Sequence, residues 1–135
     1  MTSDNVETNT RELYRLLTAD FMDVVENWIT DDFVWINYLP EHIPFGGIYK
    51  GPEGLMQYGR SLAKAIELKP LHVDDILVKG NNAVIIGVER GTLVKATGKL
   101  YDMDWVHVVK YENNGKISYL REYNQYEEMA AAFSP

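Results

Sequence analysis

Two neighbouring strands late in the chain carry an imidazole and a carboxylate on a surface that is otherwise apolar. Residues 96–126 read ATGKLYDMDWVHVVKYENNGKISYLREYNQY. ATGK and ENNGK supply the Gly and Asn that tight hairpin turns need. With a side-chain period of two, Tyr101, Met103, Trp105, His107 and Val109 share one strand face, and Leu120, Glu122 and Asn124 share the next. A face with Met, Trp and Leu is built for burial. Ionisable groups are costly there unless paired, so a chain that keeps them usually has a use for them. The combination predicts a ligand pocket.

Alternation on two further strands aims Trp35 and Asn37, and then Val88, Arg90 and Thr92, at the same hollow. An apolar body with a few polar groups is the usual make-up of a small-molecule site. Glu122 beside Arg90 can orient a water or accept a proton, or the two can simply neutralise each other. An Arg partner would also lower the carboxylate's pKa and weaken it as a base. His107 can act as acid or base near neutrality, or be a hydrogen-bonded core histidine. Asn37 can polarise a carbonyl or position water, or tie its strand to a neighbour. Trp35, Trp105, Met103, Thr92, Asn124, Leu120 and Val88 would be substrate-contacting walls. Tyr49, in a glycine-flanked loop, is a lid contact or an anchor. His42 and His72 read as solvated, and Asp102 and Asp104 as outward-facing.

The elements that must position these groups are legible in outline. Leu13, Leu16, Leu17, Phe21, Val24, Val25 and Trp28 form a helical stripe over 10–29, with a bend expected near Thr18–Asp20. A short strand follows at Phe33–Leu39, then a loop over 40–51 containing PFGG. A second helix starts after Gly51, with Pro52 in its first turn, and runs to about Ile66. Strands are expected at about 70–78, 83–95, 100–112 and 116–123, and a last short helix at Gln125–Phe133. The order ααβαββββα predicts one α+β domain over 1–135.

Composition narrows the function classes. The net charge is −7 with no Lys/Arg cluster, which argues against nucleic acid and anionic membranes as partners. There is no cysteine, hence no thiolate nucleophile and no Cys-ligated metal. The histidines are scattered, with no H-x-x-x-H spacing, so neither a metal nor another cofactor is expected. G-x-S-x-G and phosphate-loop patterns are missing as well. No signal peptide is visible, and the longest apolar run, Ala83–Val88, is far short of the ~20 residues of a membrane helix. A cytoplasmic home is the natural expectation.

The element order, together with DDFVWINYLP, PFGGIYKGPEGLMQY and WVHVVKYENNGKISYLREY, resembles the nuclear-transport-factor-2-like superfamily, and within it SnoaL-like and ketosteroid-isomerase-like proteins, from about Arg11 to Ala132. The resemblance implies a cone-shaped barrel: a strongly curved mixed or antiparallel sheet wrapped around helices, with an apolar pocket at its wide mouth, often dimeric. Ketosteroid isomerases have a carboxylate base at the position resembling Asn37 and a protonated carboxyl at that of His107; Asn cannot take a proton. SnoaL-type cyclases keep an acid/base aspartate at the position resembling Glu122. Limonene-type epoxide hydrolases carry an aromatic, an Asn and an acid at those of Trp35, Asn37 and Glu122, but their Arg and Asp would fall near Val88 and Arg90. Tyr14 lies about one residue out of register with the isomerases' helical tyrosine. The implied activity is cofactor-independent acid/base chemistry, of isomerase, cyclase or hydrolase type, on a small apolar oxygenated molecule. A non-catalytic binding or scaffold domain is the alternative. A homodimer would form through outward-facing Val106 and Val108, next to Val84 and Ile86.

Overall fold

In the computed structural model, which describes residues 2–135, helix α1 (Ser3–Ala19) starts where the Thr2 hydroxyl accepts a hydrogen bond from the Asn5 amide at 3.2 Å. It begins earlier than residue 10 because Val6 and Thr10 extend the buried stripe by about two turns ahead of Leu13. The helix breaks at Asp20, whose φ of −154° is not helical and whose carboxylate caps the next turn by accepting from the Asp23 amide. This is the expected bend. A single turn, α2 (Phe21–Asp23), and a π-helical turn (Val24–Trp28) lead into β1 (Ile29–Asn37).

The 40–51 segment, expected to be loop throughout, contains a strand. β2 (Gly47–Lys50) pairs antiparallel with β1, Tyr49 opposite Trp35. Four residues are too few for alternation to show in the sequence. Helix α3 (Gly51–Ala65) follows with Pro52 in its first turn, then β3 (His72–Lys79), β4 (Asn82–Leu93), β5 (Leu100–Tyr111), β6 (Ile117–Asn124) and α4 (Glu127–Ala132). The six strands form one mixed sheet in the order β2-β1-β6-β5-β4-β3, and only β1–β6 is parallel. The sheet is curved but does not close. Its concave face packs against α1 and α3, with Leu13, Phe33, Leu55, Ile85 and Ile117 among the core side chains.

One irregularity decides which polar residues face inward. Along β4, Ala83, Ile85 and Gly87 are buried, so the inner phase is odd-numbered up to Glu89. Between Glu89 and Thr92 the register shifts: Glu89 pairs with Met103, but Thr92 pairs with Tyr101. Gly91 makes this bulge possible with a φ of +61°, and its amide donates to the Asp102 carboxylate at 2.8 Å. Lys69 clamps the bulge by donating to the Arg90 and Gly91 carbonyls. The extra residue turns both Glu89 and Thr92 inward and leaves Arg90 outside. Strict alternation through the bulge had placed Val88 and Arg90 inside. The structure places both on the outer face instead.

On the convex face, Val84 pairs with Val108 and Ile86 with Val106, as the alternation of β5 predicted. Among the described residues, no helix is long and apolar enough to cross a membrane.

Candidate functional site

The concave face of the sheet and the inner sides of α1–α3 enclose a cavity of about 360 Å³. Trp35, Asn37, Thr92, Met103, Trp105, His107, Glu122 and Asn124, all expected there, line it. Three expected residues do not. Arg90 donates to Asp104 at 2.9 Å on the outside, with 54% of its side chain exposed. Val88 sits in the outward phase of β4, opposite Asp104. Leu120, 1% exposed, is packed into the core and does not reach the cavity wall. Among the described residues, no guanidinium therefore pairs with Glu122.

What holds Glu122 instead is a set of indole, phenol, imidazole and amide donors. Oε2 accepts from Trp35 Nε1 at 2.7 Å and from the Tyr58 hydroxyl at 2.8 Å. Oε1 accepts at longer range, from His107 Nε2 at 3.2 Å and Asn124 Nδ2 at 3.5 Å. The other His107 nitrogen, Nδ1, lies 2.7 Å from the Tyr14 hydroxyl. Burial pushes the Tyr14 phenol's pKa up strongly, helped by the Glu122 charge, so the phenol keeps its proton. The pattern that satisfies every group has Tyr14 donating to Nδ1 and Nε2–H donating to the carboxylate. Asn124 also donates to the Asn37 side-chain oxygen at 2.9 Å, tying β6 to β1.

The electrostatics favour an ionised Glu122. Burial is the largest single influence and raises the carboxyl's pKa. His107, Trp35 and Tyr58 together outweigh it and hold the group below its ordinary value. Tyr58, buried beside that charge, is pushed up by desolvation first and then by Glu122. Indole and phenol rings brace the network: Trp35 packs on Tyr58 at 4.8 Å, and Trp105 lies 4.2 Å from His107 and 5.8 Å from Tyr14.

Tyr58 and Glu89 escaped the sequence reading, and Tyr14 was set aside by it. Tyr58 stands in the apolar stripe of α3 with Leu55 and Leu62, where an aromatic reads as core. Tyr14 sits in the equivalent stripe of α1. Only its hydrogen-bond contact with His107 on β5 distinguishes it. Glu89 could have been found from the Arg90–Gly91 pair, since a glycine inside a strand marks a bulge. Tyr49 proves an anchor, its hydroxyl donating to the Gly46 carbonyl at 3.1 Å. His42 and His72 lie at the surface, on the Ala130 carbonyl and Asp74 respectively. Among the described residues, no group of three His, Asp or Glu side chains could hold a metal ion.

Solved structures share this architecture. An NTF2-like protein from Burkholderia xenovorans LB400 superposes with a TM-score of 0.85 at 18% identity, covering 99% of both chains. Another, from Burkholderia pseudomallei K96243, gives 0.84 at 21% identity over 100% of both. TerC, co-crystallised with polyporic acid, gives 0.79 at 14% identity, covering 96% of this chain and 98% of its own. Comparison with functionally curated proteins finds no significant match. The solved structures show a shared NTF2-like fold, and the pattern of the SnoaL-like domain matches residues 10–120, so this chain belongs to the SnoaL-like domain family.

Proposed function

We propose that the cavity takes up a small, largely apolar, oxygen-bearing organic molecule, and that Glu122 performs cofactor-independent general acid/base chemistry on it. One observation carries the reading. A buried carboxyl stands in an apolar cavity with no Lys or Arg paired to it among the described residues, one oxygen locked by two short bonds and the other held by two long ones from His107 and Asn124. Oε1 is the oxygen free to exchange a partner for a ligand proton. His107 donates to that same oxygen and, backed by Tyr14, orients it and balances the changing charge. Asn37, accepting from Asn124 through its oxygen and with its amide turned towards Tyr58, can offer an amide hydrogen to a ligand carbonyl or water. A small-molecule complex of TerC supports an organic ligand for a fold of this type.

The second reading is a binder without turnover. It is favoured by His107, both of whose nitrogens are already engaged within the protein. A panel of enones, epoxides and polyketide-like substrates separates the two. Turnover by the wild type is expected to fall by about 10²–10⁴ in Glu122→Gln and to drop in His107→Ala. Arg90→Ala, outside the cavity, is the matched control. Turnover that survives both cavity changes would refute the chemistry, and binding with unchanged ligand would establish the binder.

The convex sheet face supports a second copy of the chain as partner. Val84, Ile86, Val106 and Val108 form an apolar strip there, continued by Leu77, which is 53% exposed. Val106→Lys is expected to convert a dimer to a monomer in light scattering. A mass that stays the same would reject this face as the contact.

A further inference from the structure

The cavity wall holds three polar side chains that the Glu122 network leaves alone. Glu89, Thr92 and Tyr101 all line the cavity. Thr92 and Tyr101 are cross-strand partners, 1% and 2% exposed, and Glu89 stands on the other side of the bulge, opposite Met103. Glu89 Oε2, Thr92 Oγ1 and the Tyr101 hydroxyl are buried, and among the described residues none makes a well-formed hydrogen bond, although the Tyr101 hydroxyl faces both Glu89 and Thr92 closely enough for each to act on its proton. Nor does any Lys or Arg pair with Glu89 among the described residues. Native interiors rarely leave one such group unsatisfied, and a cluster calls for a use. The inward positions of β5 run His107, Trp105, Met103, Tyr101, so this cluster sits at the opposite end of that face from His107.

The three groups together select a chemistry. Burial, then the Glu89 charge, push the Tyr101 phenol's pKa far up, so it remains a donor. Glu89 offers only acceptor oxygens when ionised, and Thr92 can do either. A ligand carbonyl would satisfy Tyr101 and Thr92 but leave Glu89 bare. An ammonium would satisfy Glu89 but has no lone pair for the phenol's hydrogen. A hydroxyl donates to Glu89 and accepts from Tyr101 at once.

We propose that Glu89, Thr92 and Tyr101 form a hydroxyl-binding subsite, so that the ligand is an apolar molecule carrying a hydroxyl at the end remote from Glu122. This rests on the small-molecule reading above and adds its specificity determinant. The bulge at Gly91 builds the subsite, because only a phase change puts Glu89 and Thr92 on one face of one strand.

Matched probes test it: biphenyl and 4-phenylphenol, titrated by tryptophan fluorescence into the wild type, Tyr101→Phe and Glu89→Met. The wild type is expected to prefer the phenol by about tenfold or more, the size of a hydrogen bond to a charged group. Both variants are expected to bring that ratio close to one while keeping biphenyl affinity. Tyr101→Phe should melt no lower than the wild type, since its hydroxyl makes no well-formed hydrogen bond that the change would break. Biphenyl binding with no preference for the phenol, or a preference removed by Glu122→Gln and untouched by the two subsite variants, would overturn the subsite alone. A lower melting temperature for Tyr101→Phe would make the cluster structural. Binding of neither probe would remove the pocket reading, and this inference with it.

Discussion

Glu122→Gln is expected to lower stability by about 3 kcal/mol at neutral pH, as for a buried charged network that loses a member. The carboxylate accepts from Trp35, Tyr58, His107 and Asn124. An amide has one oxygen where the carboxylate has two. Whichever way Gln lies, its NH₂ faces two donors that can no longer be met. Against a total stability of about 5–15 kcal/mol for a domain, that loss is large.

The pH dependence follows from the same bonds. Glu122 is held below its ordinary value of 4.5, so the folded state takes up this proton less readily than the unfolded chain. Its contribution is complete above 4.5 and is lost as the pH falls from there through the lower folded pKa. The wild type should therefore lead Glu122→Gln by most at neutral pH, and the gap should close in acid. Tyr58→Phe removes a donor and lets burial count for more, which moves the acid limb of the wild-type profile upward. Urea denaturation across pH, followed by tryptophan fluorescence, measures all three. Equal midpoints for wild type and Glu122→Gln at neutral pH would mean that the donors do not depend on the charge.

The sequence carried the inner faces of β5 and β6 because those strands are regular. A period of two, read from Tyr101 to Val109 and from Leu120 to Asn124, needs nothing else. The bend at Asp20 and the start of α3 at Gly51–Pro52 were equally local, each set by one or two residues. What failed was non-local or irregular. The bulge at Gly91 reverses the phase of β4 in mid-strand, which exchanged Arg90 for Glu89. β2 is defined by its pairing with β1 and has too little pattern of its own. Tyr14 and Tyr58 look like core aromatics in their helices and acquire a role only through partners 93 and 64 residues away. The pocket was visible as alternation. The identity of the groups that stabilise its carboxylate was not, since an arginine and a ring of hydrogen-bond donors serve the same end.

Gly87→Ala is expected to cost about 3 kcal/mol and to unseat Trp105, an effect at the upper end for overpacking. The glycine is needed for space, not for its backbone angles, since its φ is not among the positive ones. It sits on the inner face of β4 directly across from Trp105. A Cβ there would overlap the Trp105 six-membered ring and the His72 carbonyl oxygen. The indole cannot simply swing away, because it stacks at 6° on Tyr14 and at 28° on His107. Moving it would also disturb the imidazole that holds Glu122 Oε1. The carbonyl belongs to β3 and moves only with that strand. Near-UV circular dichroism should report the displaced indole, and chemical denaturation the lost stability; a variant with wild-type values in both would refute the argument. The double variant Gly87→Ala/Trp105→Leu separates the two obstacles. It is expected to recover part of the glycine's loss relative to Trp105→Leu alone, because the ring clash is gone and the carbonyl clash remains. Full additivity would mean that the His72 carbonyl, and not the indole, sets the demand for glycine at this position.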